Sequence, residues 1–596
     1  MVKNVQIEYL DGKRFYRGLV AGGKAVIENQ NYLNKINVFP VADADTGINL
    51  ALTMKAMMDN SKIGKTLKET LVSVADSALS GARGNSGIIF AQYLYGLSYE
   101  LPVKGVIGVR NFAQSAQKAV HHLYASLMNP VEGTMLTVIR EWAENLVEQS
   151  DKTSDFFHAF TDSLTVARRS LLATPTKLKV LADAGVVDAG ACGFVYFLEG
   201  VVSYMHEGYL KESMESTLPM EAFNLNSNHA TAPDKYRYCT EAMLSNLACP
   251  LQKIKDIAET YGDSIILAGG EAKLHLHLHT NEPDQVFAEL FELASVSNLK
   301  VDDMQLQYQL SNARKYPIGL VTDTASDLPQ AMIDEYQIMQ IPFGITIGDR
   351  VYLDKFTIRP ERFYCMLDSA KTHPFSSQPS LSLVKNTIDY AANNFEKVIA
   401  VHISEKLSGV FNCTSSVVAK SYASRIGVIN SRQLSVSEGL VTLRVARAIA
   451  DGMSFEQIMA TAPLWIANTK ILTDINTLKY MVRGGRVKPL AGFMAALLNL
   501  KPIVSLDSEG KALAYGKSFS RKSNMAKIIA IVRKDLQSKK VWEYAIVHAE
   551  AEERAKQYAE LLQELTGKKP AYIMPLSPVV GVHNGNGTVG IGVSYD

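Results

Sequence analysis

The sequence predicts a multidomain protein: a mainly helical N-terminal region, a small α+β middle region and an α/β C-terminal region. Three observations carry that expectation. Stretches such as Leu67–Leu79 and Val106–Leu127 repeat apolar residues at three- and four-residue spacing and are rich in Ala, Leu, Lys and Glu. From Tyr236 to about Leu310 the pattern changes to short strands, Ser264–Ala268 and Lys273–Thr280, flanking a turn at Gly269–Gly270, with a helix Asp284–Leu293 after Pro283. From Tyr316 onward, the apolar runs IGLVTDTASDLP, VIAVHIS, IGVINS and YAIVHAE each precede a helical pattern. That alternation predicts a parallel sheet covered by helices.

The chain has 596 residues, enough for about four domains at ~150 residues each. The boundaries fall at 1–212, 236–312 and 313–596, with 213–235 as a linker, because Ser216–Asp234 is rich in Pro, Asn and Ser and lacks periodicity. With 61 Lys+Arg against 60 Asp+Glu, the net charge is +1. A phosphate-backbone partner calls for a basic excess, so nucleic acid is not the expected ligand. The most apolar stretches, around Val186–Met205 and Leu490–Leu500, are interrupted by Asp188 and Glu199 or stop at Lys501, so no transmembrane span is expected. The first residues are charged throughout and lack an apolar signal core. Cys192, Cys239, Cys249, Cys365 and Cys413 are too few and scattered for a disulfide framework. These features predict a cytoplasmic, reduced protein.

The densest chemical signal is NVFPVADADTGINL, residues 37–50. Asp43 and Asp45 sit two apart in a turn before a helix, which suits Mg²⁺ held by carboxylates and substrate phosphates. Thr46 and Gly47 open that helix, and its free N–H groups can face an anion. An Asp helix cap beside a turn is the plain alternative. Three further clusters shift the balance. GARGNSG (81–87) is a Gly-rich turn in which backbone amides and Ser86 can reach phosphate oxygens. PVEGTMLTV (130–138) puts Thr134 at a helix start, and VVDAGACG (186–193) repeats the arrangement with Asp188. Together they suit a nucleotide–metal site at one end of a helical bundle.

These four motifs, in order over roughly the first 200 residues, resemble the nucleotide-binding subunit of the dihydroxyacetone kinase superfamily, in the version found in bacterial fatty acid kinases. The resemblance implies an all-α eight-helix barrel-like bundle with ATP and two Mg²⁺ at one end. It implies metal ligation by Asn37, Asp43 and Asp45, the two aspartates being catalytic. It places Thr46, Gly47, Asn49, Gly84, Asn85, Ser86, Thr134 and Met135 at the nucleotide, with Asp188 and Gly190 near the nucleoside. Ala42 and Ala44 depart from the family's usual PDGDTGTN, which bears on the turn's geometry.

In the middle region, KLHLHLHTNEP (273–283) sets His275, His277 and His279 on one face of a strand. Imidazoles so placed, with Cys239 of YCTEAML as a third donor, suit Zn²⁺; a solvated strand face accounts for the spacing equally well. The segment resembles the middle domain of the same kinases, which implies Cys239, His277 and His279 as ligands, with Thr280 nearby and the role of His275 open.

In the C-terminal region, VTDTASDLP (321–329), FSSQPS (375–380), LSGVF (407–411), TLKYMVRGGRVK (477–488) and GVHNGNG (581–587) are polar islands. Hydroxyls, a histidine and an arginine could bind one carboxylate through charge-assisted hydrogen bonds. Taken singly, Ser376 and Ser408 also fit turns, Arg483 and Arg486 surface pairs, and His583 an incidental loop residue. In their order over about 280 residues they resemble the DegV family of fatty-acid-binding proteins. That implies a two-lobed α/β domain enclosing an acyl chain, with Ser408, His583 and Arg483 or Arg486 on the carboxylate. Ser376 stands where the family often has Thr.

The combined resemblance implies a kinase and its lipid carrier in one chain, converting ATP and a long-chain fatty acid to acyl phosphate and ADP. An acyltransferase would receive the product in phospholipid metabolism, the protein would act at the inner membrane surface, and it would dimerise as the kinase relatives tend to. The alternatives are a non-catalytic lipid carrier or sensor, and a kinase for a small dihydroxyacetone-like compound.

Overall fold

The computed structural model describes residues 6–40, 42, 44–208, 235–485, 501–518 and 520–596. They form two compact units, Met1–Asn312 and Ala313–Asp596. Asp43, Arg486 and nearly all of the expected linker lie outside the described residues.

The first unit opens with helices α1 (Gly12–Glu28), α2 (Gln30–Lys35), α3 (Thr46–Asn60), α4 (Leu67–Gly81), α5 (Gly84–Glu100), α6 (Val109–Ala125), α7 (Met135–Ser150), α8 (Phe156–Leu172), α9 (Thr174–Lys177), α10 (Lys179–Ala184) and α11 (Ala189–Glu207). Each long helix packs on the next: α1 on α3, α3 on α4, and so on through α8, which packs on α11, and α11 on α1. Side-chain caps start several of them. Asp11 accepts the Arg14 N–H ahead of α1, Thr66 accepts the Glu69 N–H ahead of α4, and Asp188 accepts the Ala191 N–H ahead of α11. The α1–α11 contact is close because it is built on glycine: a Cβ at Gly200 would lie 2.5 Å from the Ala21 carbonyl oxygen. The interior is aromatic, with the Trp142 and Phe194 rings 5.7 Å apart edge to face and the Phe90 and Phe197 rings 4.9 Å apart.

The same unit continues with β1 (Tyr238–Ser245), α12 (Leu251–Tyr261), β2 (Gly262–Gly270), β3 (Lys273–Thr280), α13 (Pro283–Leu293), β4 (Ser295–Asp303) and α14 (Met304–Asn312). The strands form one antiparallel sheet in the order β2-β3-β1-β4. The hairpin turns at Glu271–Ala272, not at Gly269–Gly270, which end β2; Gly269 has φ +107°. The sheet is fastened to the bundle. Gln92 accepts the Gly269 N–H at 2.7 Å, Lys273 donates to Ser80 Oγ at 2.6 Å, and Ile266 and Ala268 join the bundle's apolar core.

The second unit holds a parallel sheet of β5 (Ile318–Asp323), β6 (Met339–Ile341), β10 (Lys397–His402) and β11 (Ile426–Asn430), in the order β11-β10-β5-β6. A small antiparallel sheet joins β7 (Gly344–Ile347), β8 (Arg350–Leu353) and β9 (Phe375–Ser377). The third sheet has six strands: β12 (Thr469–Asp474), β13 (Lys501–Leu506), β14 (Ala512–Ser518), β15 (Val541–His548), β16 (Ile573–Pro575) and β17 (Val589–Tyr595), ordered β14-β13-β12-β17-β15-β16. Three of the four apolar runs that predicted a parallel sheet are in one. The fourth, YAIVHAE, lies in β15, which pairs antiparallel with β17 and parallel with β16. A strand buried on both faces is continuously apolar in either kind of sheet, so its composition does not reveal direction. The helix Ser435–Ala450 packs on strands of both large sheets, which explains why it is buried nearly all round. Among the described residues, no helix is long and apolar enough to cross a membrane.

Buried carboxyls tie the loops of this unit together. Asp323 accepts the N–H groups of Ala325 and Ile403, both at 3.1 Å, and pairs with His402. Asp327 accepts from Ser435 Oγ at 2.6 Å and from the Ser577 N–H at 3.1 Å, and pairs with Lys355. Asp354 accepts the Val579 N–H at 3.0 Å. Burial pushes the Asp354 carboxyl up to about 7, Lys355 opposing and Asp327 adding, and burial beside Asp323 pushes Glu438 well above the carboxylate range. The folded state thus holds protons that the unfolded chain releases above about pH 4. The contribution of Asp354 to stability should fall as pH rises from about 4 to about 7 and then level off, by about 4 kcal/mol at most. Urea titrations at pH 5 and pH 7.5 should show the fall, and Asp354→Asn should reduce it.

Candidate functional site

The four N-terminal motifs meet where α3, α5, α7 and α11 begin. Asn37 Oδ1 accepts the Thr46 hydroxyl at 2.7 Å, both side chains buried, which ties the preceding loop to the first turn of α3. Asp45 immediately precedes that turn, and Asn49 stands one turn on. Gly84 has φ +58°, and a Cβ there would collide with the Asn49 side-chain amide. The next two residues, Asn85 and Ser86, reach the other motifs: a Cβ at Gly190 would lie 2.7 Å from Ser86 Oγ and 3.4 Å from Asp188 Oδ1. Asp188 accepts the Ala191 N–H at 2.7 Å and also the Met135 N–H, and burial pushes its carboxyl up to about 6. Thr134 holds the N-cap position of α7, its hydroxyl donating to the Val131 carbonyl rather than capping the helix. Gly47 lies so close to the Gln30 carbonyl that no side chain fits. Four helix N-termini gathered in this way offer free N–H groups and positive dipole ends to an anion. The Asp45 carboxylate, Asn37 Oδ1, the Thr46 hydroxyl and the buried, unpartnered Asn85 Oδ1 are oxygen donors of the kind that suits Mg²⁺.

Ala44, where a family member would carry Gly, has φ +57°. A non-glycine residue in the left-handed region costs about 1–2 kcal/mol. Ala44→Gly should therefore stabilise the fold by about 1 kcal/mol, read as a rise in the denaturation midpoint.

The histidine face of β3 is turned to the bundle and buried rather than solvated: His275, His277 and His279 are 2%, 1% and 7% exposed. Donor atoms of Cys239, His277 and His279 all lie within 4.8 Å of one another. Cys239 Sγ is 3.7 Å from His277 Nδ1. Tetrahedral Zn²⁺, with Zn–S of about 2.3 Å and Zn–N of about 2.0 Å, spaces its donors by about 3.6 Å, within reach of so tight a set, and His277 would ligate through Nε2 because its Nδ1 faces Glu241. Buried His277 Nε2 has no hydrogen-bond partner. Burial lowers the His279 imidazole to about 3 and the His275 imidazole to about 4, which keeps both neutral. His275 is not part of the triad and bonds the Leu79 carbonyl at 2.7 Å. Burial raises the Cys239 thiol, and the carboxylates of Glu241, Asp302 and Asp45 add to the rise; a dication there would reverse it.

In the second unit, Ser376, Ser408 and His583 line one cavity of about 460 Å³, with Phe343, Ile471 and Val504 among its apolar walls. Ser376 Oγ is 2.9 Å from His583 Nε2. His583 lies in the last turn of the helix Pro578–Asn584, which the Asp327–Ser577 and Asp354–Val579 bonds hold in place. Hence TDTASDLP positions this site without lining its polar end. Arg483 is exposed at the end of the short helix Lys479–Arg483 and does not line the cavity. It neighbours His583 through Gly484, whose Cβ would collide with His583 Nδ1. Tyr480 donates to Asp368, which also accepts from Asn586 at 2.8 Å, fixing the GVHNGNG loop.

Sequence reasoning missed Glu241, Arg83 and Lys300. Glu241 is wholly buried opposite His277 in the β1–β3 register, yet it reads as an ordinary strand glutamate. The available signal was its place two residues after Cys239, on the same strand face.

Residues 317–596 match the family model for DegV, described as an uncharacterised protein family. Residues 40–203 match the DAK2 domain, and 235–311 match the middle domain of fatty-acid-kinase-like (FakA-like) proteins. An uncharacterized protein of Staphylococcus haemolyticus is 30% identical over 313 residues, covering 51% of this chain and 57% of its own length. One from Staphylococcus epidermidis is 30% identical over 333 residues, covering 54% and 60%. The chain therefore spans less than two thirds of these relatives. Among solved structures, a fatty-acid-binding DegV-family protein from Thermus thermophilus is 25% identical, covering 47% of this chain and all of that one, with a TM-score of 0.44. A fatty-acid-binding DegV from Bacillus subtilis is 24% identical over the same shares, with a TM-score of 0.44.

Proposed function

From a chain that carries a DAK2 domain, a FakA-like middle domain and a DegV-family domain, we propose a phosphotransferase that converts a fatty acid held by its own DegV-like part to acyl phosphate. The observation that carries this reading is the meeting of Ser376, Ser408 and His583 on one largely apolar cavity, in a chain whose other unit gathers four phosphate-type motifs. A fatty carboxyl with an ordinary pKa near ~4–5 is ionised at neutral pH, so the nucleophile needs no general base. One carboxylate oxygen forms the new bond to the γ-phosphorus, and the bond to the β–γ bridging oxygen breaks, releasing ADP.

Little covalent chemistry is left to the protein, and its work is positioning and charge stabilisation. Asn37, Asp43 and Asp45 would hold magnesium, which offsets the charge of the transferred phosphoryl group when bound. The N–H groups of Asn85 and Ser86 would face phosphate oxygens. Ser376, Ser408 and His583, with Arg483 or Arg486 as the charged partner, would hold the fatty carboxylate. One chain bearing both parts raises their effective concentration to ~mM where the linker permits encounter.

The test is direct. Protein with ATP, Mg²⁺ and oleate or palmitate should yield a product that hydroxylamine traps as the hydroxamate. Nucleotide binding and retained lipid without hydroxamate would instead mark a carrier or sensor, and turnover of dihydroxyacetone alone would mark a small-molecule kinase.

A further inference from the structure

We propose that Glu241 is a positioning residue that couples metal binding at Cys239, His277 and His279 to nucleotide binding at the Gly84–Ser86 turn. The carboxylate is wholly buried and reaches both sites at once. Its Oε1 accepts the Gly84 N–H at 2.8 Å and lies 3.4 Å from His277 Nδ1 and 3.8 Å from Cys239 Sγ. Its Oε2 is 3.6 Å from Arg83 Nη1 and 3.8 Å from His275 Nε2, and Lys300 Nζ stands 3.7 Å from Oε1. Arg83 and Gly84 are the two residues that enter α5, and Gly84 is held at φ +58° against Asn49. A buried carboxylate cannot turn toward one partner without weakening its bonds to the others, because no water replaces what it loses. Metal on the triad fixes the His277 ring and the Cys239 sulfur, and their contacts then fix Glu241, as outer-shell carboxylates do in other metal sites. The Gly84 N–H and the Asn85–Ser86 turn behind it are held in the same way. In a stripped protein the carboxylate is free to follow Arg83 and Lys300, and the turn loses its anchor.

This inference rests on the first unit being a nucleotide-binding kinase, so the affinity of the full chain for a fluorescent ATP analogue with Mg²⁺ is measured first. No binding by the zinc-loaded protein would overturn that reading and the coupling with it. Where binding is found, stripping zinc with dipicolinate and restoring Mg²⁺ should weaken it about tenfold, and re-adding one zinc per chain should restore it. Glu241→Ala should still take up zinc but bind the analogue with the stripped protein's affinity, whether loaded or not. Glu241→Gln, which keeps an acceptor for the Gly84 N–H, should recover part of the loaded affinity. Coupling is reciprocal, so saturating analogue with Mg²⁺ should tighten zinc about tenfold in the unaltered protein and not in Glu241→Ala. A merely structural glutamate would lower the denaturation midpoint yet leave the zinc-dependent difference in place. That difference surviving in Glu241→Ala, or its absence from the unaltered protein, overturns the coupling while the kinase reading stands.

Discussion

Asp45→Asn is expected to lower ATP-dependent acyl phosphate formation about 10³-fold while the fatty acid stays bound, in keeping with the loss of one electrostatic group at a developing charge. Asp45 immediately precedes the first turn of α3, which the buried Asn37–Thr46 bond ties to the preceding loop. The amide keeps the size and one acceptor oxygen but removes the charge on which a hard dication depends. Asp45 makes no side-chain capping bond to α3. Asp188 contrasts with it: it accepts the Ala191 N–H, and its replacement by Ala would also cost about 1 kcal/mol of helix capping. Hydroxamate yield against time gives the rate, and mass spectrometry of the gently purified variant gives the retained lipid. An unchanged rate would remove Asp45 from the metal site.

The residues that could be read in the sequence are those whose chemistry depends on local spacing. Helix-opening clusters such as GARGNSG and VVDAGACG state their own geometry, since a Gly–Ser or Asp–Ala–Gly turn before an apolar run fixes where the N–H groups point. The alternation in KLHLHLHT likewise placed three rings on one face. Whether that face met water or protein depended on which surface of the bundle covers it, and no local pattern carries that information. Glu241 was illegible for the same reason: its importance lies in a bond to Gly84, 157 residues away in the chain. In the C-terminal unit, TDTASDLP read as one more polar island. Its carboxyls serve the site by holding the segments at Ile403 and Ser577, contacts that form only once two sheets share the helix Ser435–Ala450. The direction of β15 was hidden too, because β17, its antiparallel neighbour, comes later in the chain.

His583→Ala is expected to weaken fatty acid retention about 10- to 100-fold, the range for losing a hydrogen bond to a charged group. Ser376→Ala should weaken it only about 2- to 10-fold, since a neutral hydroxyl contributes less. The two should not add. Ser376 Oγ lies 2.9 Å from His583 Nε2, so each removal also releases the other side chain, and a double-mutant cycle should report coupling. The apolar walls at Phe343, Ile471 and Val504 are untouched by either change, so the acyl chain keeps its burial and the loss falls on the headgroup. A methyl ester, which carries no charge, should therefore bind the unaltered protein and His583→Ala almost equally, whereas the free acid should discriminate between them. Equilibrium binding of a fluorescent fatty acid and its ester gives both comparisons. Equal loss of acid and ester would mean that His583 shapes the cavity rather than gripping the carboxylate, and no loss of either would place the carboxylate elsewhere.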